Sequence, residues 1–195
     1  MTDSPKVLER FQLKPIETTY SGVLYRSRSE ARWAVFMDSL QLEHRYEFEG
    51  YDLGDDLRYL PDFLVPSLDF WVEVKGADPV DDECERAHRL AVSSGKPVYV
   101  FFGGMADPTA NAGPATAYAF FADGSADHGY LWCECAVCGN LGIEFEGRSD
   151  RLSCKERAGK GGVCGVSAHG DKGFNYKSPR LVQAYNAARS ARFGR

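Results

Sequence analysis

The pattern of hydrophobic and polar positions divides the first half of the chain into helix and strand. Residues 27–40 carry hydrophobic side chains at helical spacing, which predicts an amphipathic helix. Ser27 or Ser29 can supply the oxygen that caps its N-terminus. Pro66 and Ser67 mark a turn between two of the segments that follow, so these two are expected to form a hairpin. Three strands are therefore predicted after the helix, over residues 44–48, 57–65 and 68–75.

The same pattern continues with a helix and a buried strand. Residues 79–94 have a helical apolar face and are followed by Gly95, a residue typical of helix C-termini. Residues 97–102 are almost all apolar, which indicates a strand that is covered on both faces. Further elements are predicted as a hairpin over residues 116–121 and 130–132 and a terminal helix over residues 178–193. The order helix, three strands, helix, strand predicts an α/β (α+β) fold around a mixed sheet.

Length and composition limit the class of protein. The chain has 195 residues, of which 44% are hydrophobic and 13% aromatic, so it can form one or two packed domains. No apolar run approaches the roughly 18–20 residues that span a bilayer, and the first residues lack the apolar core of a secretory signal. We therefore expect a cytoplasmic protein with no membrane partner. We expect two parts, a domain over residues 1–132 and a smaller segment over residues 133–195.

The net charge of −5 conceals an uneven distribution. Residues 1–147 contain 12 basic and 25 acidic residues, which gives −13. Residues 148–195 contain 11 basic and 3 acidic residues, which gives +8. An acidic body with a basic C-terminal part suggests a polyanionic partner, and nucleic acid is the leading candidate.

The most informative motif is Pro61-Asp62 followed, after ten intervening residues, by Glu73-Val74-Lys75. Side chains alternate along a strand, so Glu73 and Lys75 should share one face. The predicted hairpin would bring Asp62 beside Glu73, and two adjacent carboxylates resist joint ionisation unless a cation lies between them. Mg²⁺ prefers oxygen ligands and would suit such a pair. The alternative is that Asp62 caps a turn while Glu73 and Lys75 form a solvated surface pair.

These residues resemble the PD-(D/E)XK signature of the restriction-endonuclease-like nuclease superfamily, in particular the resolvase-like and transposon-end-cleaving nucleases of phages and mobile elements. The resemblance covers residues 25–102 and implies that superfamily's core. It implies that Asp62, Glu73 and the backbone carbonyl of Val74 bind the catalytic metal, and that Lys75 is the catalytic lysine. Superfamily members often carry a further acidic residue on the first helix, a position that Glu30 would take. Glu30 can equally be a first-turn glutamate that complements the helix dipole.

Basic residues flank this motif and recur near the C-terminus. Arginine matches phosphate oxygens with two parallel hydrogen bonds, and basic side chains neutralise the nucleic-acid backbone. The alternatives are a solvated face for the first group and a terminal helix docked on the core for the second. The candidate nucleic-acid-binding residues are Arg26, Arg28, Arg32, Lys172, Lys177, Arg180 and Arg189.

Five of the six cysteines lie within 32 residues, and Cys84 stands apart. Cys135 and Cys138 have the two-residue spacing of a zinc knuckle, followed by Gly139. Tetrahedral Zn²⁺ takes four thiolates, and the segment has too few apolar residues to fold without such support. We predict a structural, zinc-ribbon-like site formed by Cys135, Cys138, Cys154 and Cys164, with Cys133 or His169 as alternate ligands.

Together these features predict a Mg²⁺-dependent (or Mn²⁺-dependent) endonuclease that hydrolyses DNA phosphodiester bonds, with RNA as an alternative substrate. Cleavage of both strands needs two active sites or two events, so a homodimer is compatible with this function. Two other classes remain open. The chain can be a binding module that holds nucleic acid without cleaving it, or an interaction subunit with an acidic surface.

Overall fold

A seven-stranded mixed sheet organises the protein, and three helices pack on it among the described residues. The structure is a computed structural model that describes residues 14–110, 113–136, 138–149, 152 and 174–194. The predicted α+β class with a mixed sheet is confirmed.

The elements of the chain follow in order. The first half contains β1 (Thr18–Tyr20), β2 (Val23–Tyr25), α1 (Arg28–Ser39), β3 (Arg45–Tyr46), β4 (Tyr51–Asp52), β5 (Arg58–Tyr59), β6 (Phe63–Val65) and β7 (Phe70–Lys75). The second half contains α2 (Asp81–Ser94), β8 (Val98–Phe102), β9 (Ala117–Phe120), β10 (Ala126–Glu134), β11 (Leu141–Phe145) and α3 (Pro179–Ser190).

The strand order of the main sheet is β11-β10-β9-β8-β7-β6-β3, and β1-β2 and β4-β5 form two small separate hairpins. All neighbours in the main sheet are antiparallel except β7 and β8, which α2 connects as a crossover. The predicted hairpin is therefore β6-β7, and its turn lies at residues 66–69.

Alternation along the strands divides the core between the two faces of the sheet. On one face, Val72 and Val74 of β7 pack with α1 and α3, and Phe36 contacts both Trp132 and Tyr185. On the other face, Trp71 packs with the apolar side of α2. The central strands are covered on both faces, as the apolar segment over residues 97–102 predicts.

The helix ends have local causes. Ser27 caps α1 by accepting a hydrogen bond from the Glu30 backbone N–H. Helix α2 begins at Asp81, two residues after Pro79, because the Glu83 carboxylate accepts the Val80 N–H there. Gly95 ends α2 in the left-handed conformation, at φ +69°, as the sequence predicts.

The segment after residue 132 continues the main sheet. Strand β10 crosses the predicted division, since it extends to Glu134, and β11 pairs with it in register. Leu141 and Ile143 of β11 belong to the core that α1 and α3 cover. Among the described residues, no helix combines the length and apolar character needed to cross a membrane.

Candidate functional site

Three neighbouring strands align three acidic residues at one level of the sheet. The β6-β7 register pairs Phe63 with Val72, and continuing it by one residue places Asp62 opposite Glu73. The β3-β6 register continues in the same way and places Glu47 opposite Asp62, with the Glu47 N–H donating to the Asp62 carbonyl at 2.9 Å. We call Glu47, Asp62 and Glu73 the acidic row.

Asp62 and Glu73 are held by reciprocal hydrogen bonds to backbone. The Asp62 N–H donates to Glu73 Oε1 at 2.9 Å, and the Val74 N–H donates to Asp62 Oδ2 at 2.8 Å. Asp62 is only 2% exposed and Glu73 only 1%. The pair is therefore not the solvated surface arrangement that the sequence leaves open.

Two cations lie against this buried pair. Lys75 Nζ is 3.2 Å from Glu73 Oε2, and Arg26 Nη2 donates to Asp62 Oδ1 at 2.8 Å. The guanidinium of Arg26 also reaches Glu47, with Nε 2.6 Å from Oε1. Each acidic residue of the row is therefore in direct contact with a cationic side chain: Glu47 and Asp62 with Arg26, and Glu73 with Lys75.

The electrostatics of the pair follow from burial and like charge. Burial and the neighbouring Glu73 carboxylate raise the pKa of Asp62 well above its ordinary value, and Lys75 only partly opposes this. Burial disfavours the charged form of Lys75, but the carboxylates of Glu73 and Asp62 outweigh that effect and raise its pKa. The site thus retains a charged ammonium group and favours any further positive charge.

Glu30 lies close to the row but is bound to other groups. It accepts hydrogen bonds from the Ser27 hydroxyl at 2.7 Å, the Arg26 N–H at 3.1 Å and the Tyr46 hydroxyl at 2.5 Å. It is 6% exposed, and its charge contributes to the raised pKa of Asp62. Glu30 therefore lies in the first turn of α1, bound to its neighbours there, and it also belongs to the electrostatic environment of Asp62.

Two residues of the site escaped the sequence analysis. Glu47 lies in a predicted strand, but its place beside Asp62 depends on a register that no local pattern reveals. The Tyr59 hydroxyl is buried and forms no hydrogen bond of acceptable geometry with the described residues. Burial and the nearby Glu73 carboxylate raise the pKa of Tyr59, which places this hydroxyl beside the acidic row.

The remaining basic candidates divide by their contacts. Arg28 is exposed on α1, whereas the Nε atom of Arg32 is buried without a partner among the described residues. Lys177 is exposed over the Tyr176 ring, and Arg189 forms an ion pair with Asp107 at 2.8 Å. Lys172 lies outside the described residues.

Arg180 is directed into the protein. Its guanidinium donates to the Leu40 carbonyl at 2.6 Å and to the Gly139 carbonyl at 3.3 Å, and it lies 3.6 Å from Glu134. It therefore links α3 to the C-terminus of α1 and to the turn between β10 and β11.

That turn carries the first cysteines. The Gly139 N–H donates to the Cys135 carbonyl, and Gly139 has φ +70°, a conformation that favours glycine. Cys133 of β10 and Cys135, which directly follows that strand, are almost fully buried and pack with Leu152 and Cys138. Cys133 thus accompanies the predicted knuckle, while Cys154, Cys164 and His169 lie outside the described residues.

The donor set of the acidic row suits a divalent cation. Together with the nearby Glu30, the acidic row brings four carboxylates, and Arg26 and Lys75 bring two positive charges in direct contact with the row. With every group ionised, the formal charge is −2, which one Mg²⁺ ion would balance. Within the described part of the chain, no three acidic, histidine or cysteine side chains are already grouped closely enough to hold a metal ion.

No protein-family model matches the chain, and no curated protein or solved structure does so either.

Proposed function

We propose that the protein is a metal-dependent nuclease of the PD-(D/E)XK type that hydrolyses DNA phosphodiester bonds, with a phage or mobile-element origin. The proposal depends on one observation: Asp62 and Glu73 are buried side by side on adjacent strands, with Lys75 against Glu73. Buried like charges are costly, and a site that maintains them favours a bound cation.

The order of elements supports the proposal. Apart from the separate hairpin β4-β5, the chain contributes α1, then β3, β6 and β7, then α2 and β8, which is the order implied by the resemblance to restriction-endonuclease-like enzymes. The motif residues lie where β6 begins and β7 ends, so the sheet itself sets the spacing of the two carboxylates.

Asp62 and Glu73 would hold the catalytic Mg²⁺ or Mn²⁺, with the Val74 carbonyl as a further ligand. Such an ion polarises a phosphodiester oxygen and lowers the pKa of an attacking water. The carboxylate donors are of the hard oxygen type that Mg²⁺ requires.

Lys75 would act beside that ion. Its ammonium group can donate hydrogen bonds to orient a water molecule, or stabilise negative charge that develops at phosphorus. Glu73 restrains Nζ at 3.2 Å, and only about a fifth of the Lys75 side chain is exposed, so the group is positioned in advance. Glu30 would assist by fixing the backbone of Arg26 and by adding negative charge near the metal.

DNA would be held by basic residues near α1 and α3. Arg26 and Arg28 lie at the start of α1, and Arg32 follows one turn later. Lys177 lies just before α3 and Arg189 lies within it, and α3 packs directly on α1. The concentration of positive charge after residue 147 favours a polyanion as substrate, with RNA as the alternative.

The cysteines would form a structural zinc site. Cys135 and Cys138 would bind through the β10-β11 turn, and Cys154 and Cys164 would complete a tetrahedral set. Cys133 remains an alternate ligand because it is buried in the same cluster as Cys135.

The test is a cleavage assay on supercoiled, linear, branched and single-stranded DNA, with Mg²⁺, Mn²⁺ or EDTA. We expect metal-dependent cleavage, and Lys75→Met should lower its rate roughly 100-fold or more because a positioned charge is lost. Asp62→Ala should abolish metal-dependent cleavage. Lys96→Met is the matched control, since Lys96 pairs with Asp69 at the other end of β7.

The other outcomes identify the alternatives. DNA binding in EDTA without cleavage in any metal would favour a binding module on the same fold. Neither binding nor cleavage would favour an acidic interaction subunit. Cleavage that Lys75→Met and Lys96→Met reduce equally would contradict the assigned role of Lys75.

A further inference from the structure

Arg26 bridges several of the acidic groups at once. Its guanidinium touches Asp62 at 2.8 Å and Glu47 at 2.6 Å. Its backbone N–H is shared between Glu30, at 3.1 Å, and the Tyr46 hydroxyl, at 3.0 Å. The backbone of Arg26 is thus fixed, while 54% of its side chain is exposed and has space to move.

The Asp62 carboxylate is fully engaged in this arrangement. Oδ2 accepts the Val74 N–H, and Oδ1 accepts the Arg26 guanidinium. A divalent ion bound to Oδ1 would lie within about 4–5 Å of that guanidinium, where like charges repel strongly in a partly buried site. The ion and the guanidinium therefore compete for the same oxygen atom.

Glu47 gives the guanidinium a second partner outside the buried pair. The Glu47 side chain is 25% exposed, against 3% for Asp62, although the Oε1 atom that contacts Arg26 is buried. Glu47 contacts Nε, whereas Asp62 contacts Nη2, so the contact with Asp62 can break while the contact with Glu47 persists. Freed from Asp62, Nη2 would remain beside the metal and, together with Nη1, could donate two hydrogen bonds to a phosphate.

We propose that Arg26 is a displaceable internal cation. It neutralises Asp62 in the metal-free protein, yields that oxygen to the divalent ion, and is retained by Glu47 as a ligand for the substrate phosphate next to the metal. Glu47 is then a positioning residue that acts through Arg26. This inference rests on the proposed nuclease function, because it assumes that Asp62 binds the metal.

The first test measures Mn²⁺ binding alone by isothermal titration calorimetry, without DNA. Arg26→Gln should bind Mn²⁺ roughly tenfold more tightly than wild type, because the competing cation is gone. Arg45→Gln is the matched control, since Arg45 lies on β3 and pairs with the exposed Glu43. Arg45→Gln also removes one positive charge near the site, but it leaves the contact between Arg26 and Asp62 intact. We therefore expect the Mn²⁺ affinity to change by at most about twofold.

The second test measures binding of a labelled DNA duplex in Mn²⁺ by fluorescence anisotropy, in a Lys75→Met background that slows cleavage. Adding Arg26→Gln should weaken DNA binding several-fold, whereas adding Arg45→Gln should have little effect. Tighter metal binding with weaker DNA binding is the distinguishing result. A merely structural Arg26 would lower both affinities together, and that result would overturn the proposal.

Arg26→Lys keeps the proposal testable where Arg26→Gln does not fold. An ammonium group lacks the planar fork that spans Asp62 and Glu47, so Mn²⁺ affinity should lie between those of wild type and Arg26→Gln. If the Arg26 variants bind Mn²⁺ with the same affinity as Arg45→Gln, the proposal that the metal displaces Arg26 from Asp62 is wrong.

The two proposals can fail separately. Normal cleavage with unchanged Mn²⁺ affinity in the Arg26 variants would leave the nuclease and reject the displaceable cation. The expected Mn²⁺ effect without any cleavage would retain the cation exchange and reject the nuclease. No Mn²⁺ binding in any variant would reject both.

Discussion

Burial of the Asp62 carboxylate makes the stability of the folded protein depend on pH. It lies beside Glu73, and burial together with this like charge raises its pKa well above the ordinary value of 3.8. The folded protein then binds a proton more tightly at this group than the unfolded chain does. The stabilisation from that proton is present at low pH and is lost as pH rises through the folded-state pKa.

A substitution at Asp62 should reveal this cost. Asp62→Asn carries no charge at any pH, so in EDTA its free energy of unfolding should rise relative to wild type as pH increases from 4 to 8. Urea denaturation at several pH values measures the difference. Asp82→Asn is the control because the Asp82 side chain is 87% exposed.

A constant difference between Asp62→Asn and wild type across this pH range would contradict the expectation. Added Mn²⁺ should reverse the order of stability, because the ion stabilises wild type by binding the folded state. The reversal would link the buried charge to a ligand.

At the level of elements, α3 is part of the core and not an appended tail. Leu181, Ala184 and Tyr185 are fully buried against α1, while the basic residues of the helix lie around that apolar face. Arg180 adds polar contacts from α3 to the end of α1 and to the cysteine turn. Docking of this helix on the core is therefore confirmed, and nucleic-acid contact through its basic residues remains a prediction.

Arg180 and Lys177 should separate stability from binding. Arg180→Met should lower the free energy of unfolding by about 1.5–3 kcal/mol, because two carbonyls lose a charged donor. Lys177→Met should leave stability nearly unchanged, since Lys177 is exposed. Denaturant unfolding measures the stability of the two variants, and fluorescence anisotropy measures their DNA binding. A larger loss of stability from Lys177→Met than from Arg180→Met would contradict this assignment.

At the scale of the whole molecule, strands on both sides of the predicted division at residue 132 belong to one sheet. Strands β10 and β11 extend the sheet that carries the acidic row, and the cysteine turn joins these two strands. A metal at this turn would therefore stabilise an edge of the same sheet on which the catalytic candidates lie.

Zinc content tests this organisation. Protein purified without chelator should contain about one equivalent of Zn²⁺ by metal analysis. Cys135→Ser and Cys138→Ser should lose it, because each removes a thiolate from the turn. Cys84→Ser should retain it, since Cys84 lies on α2. Wild-type protein without zinc would refute the site.

Much of the fold could be predicted because its signals are local. The Ser27 cap, the turn after Val65 and the Gly95 stop are short-range features, and the helices and the β6-β7 hairpin follow from them. The ends of the strands could not be predicted as well: β3 and β6 are only 2 and 3 residues long, whereas the pattern suggests longer strands. Strand length depends on how many residues find a partner across the sheet, and that is a non-local property.

The candidate site divides in the same way. The amino-acid sequence by itself determined the acid–acid–lysine motif, the hairpin that pairs Asp62 with Glu73, and the spacing that puts Glu73 and Lys75 on one face. Only the tertiary structure decided that the pair is buried, that Glu47 joins it, and that Arg26 reaches across to Asp62. The physical reason is that alternation and turns act over a few residues, whereas burial and strand register depend on segments far apart in the chain.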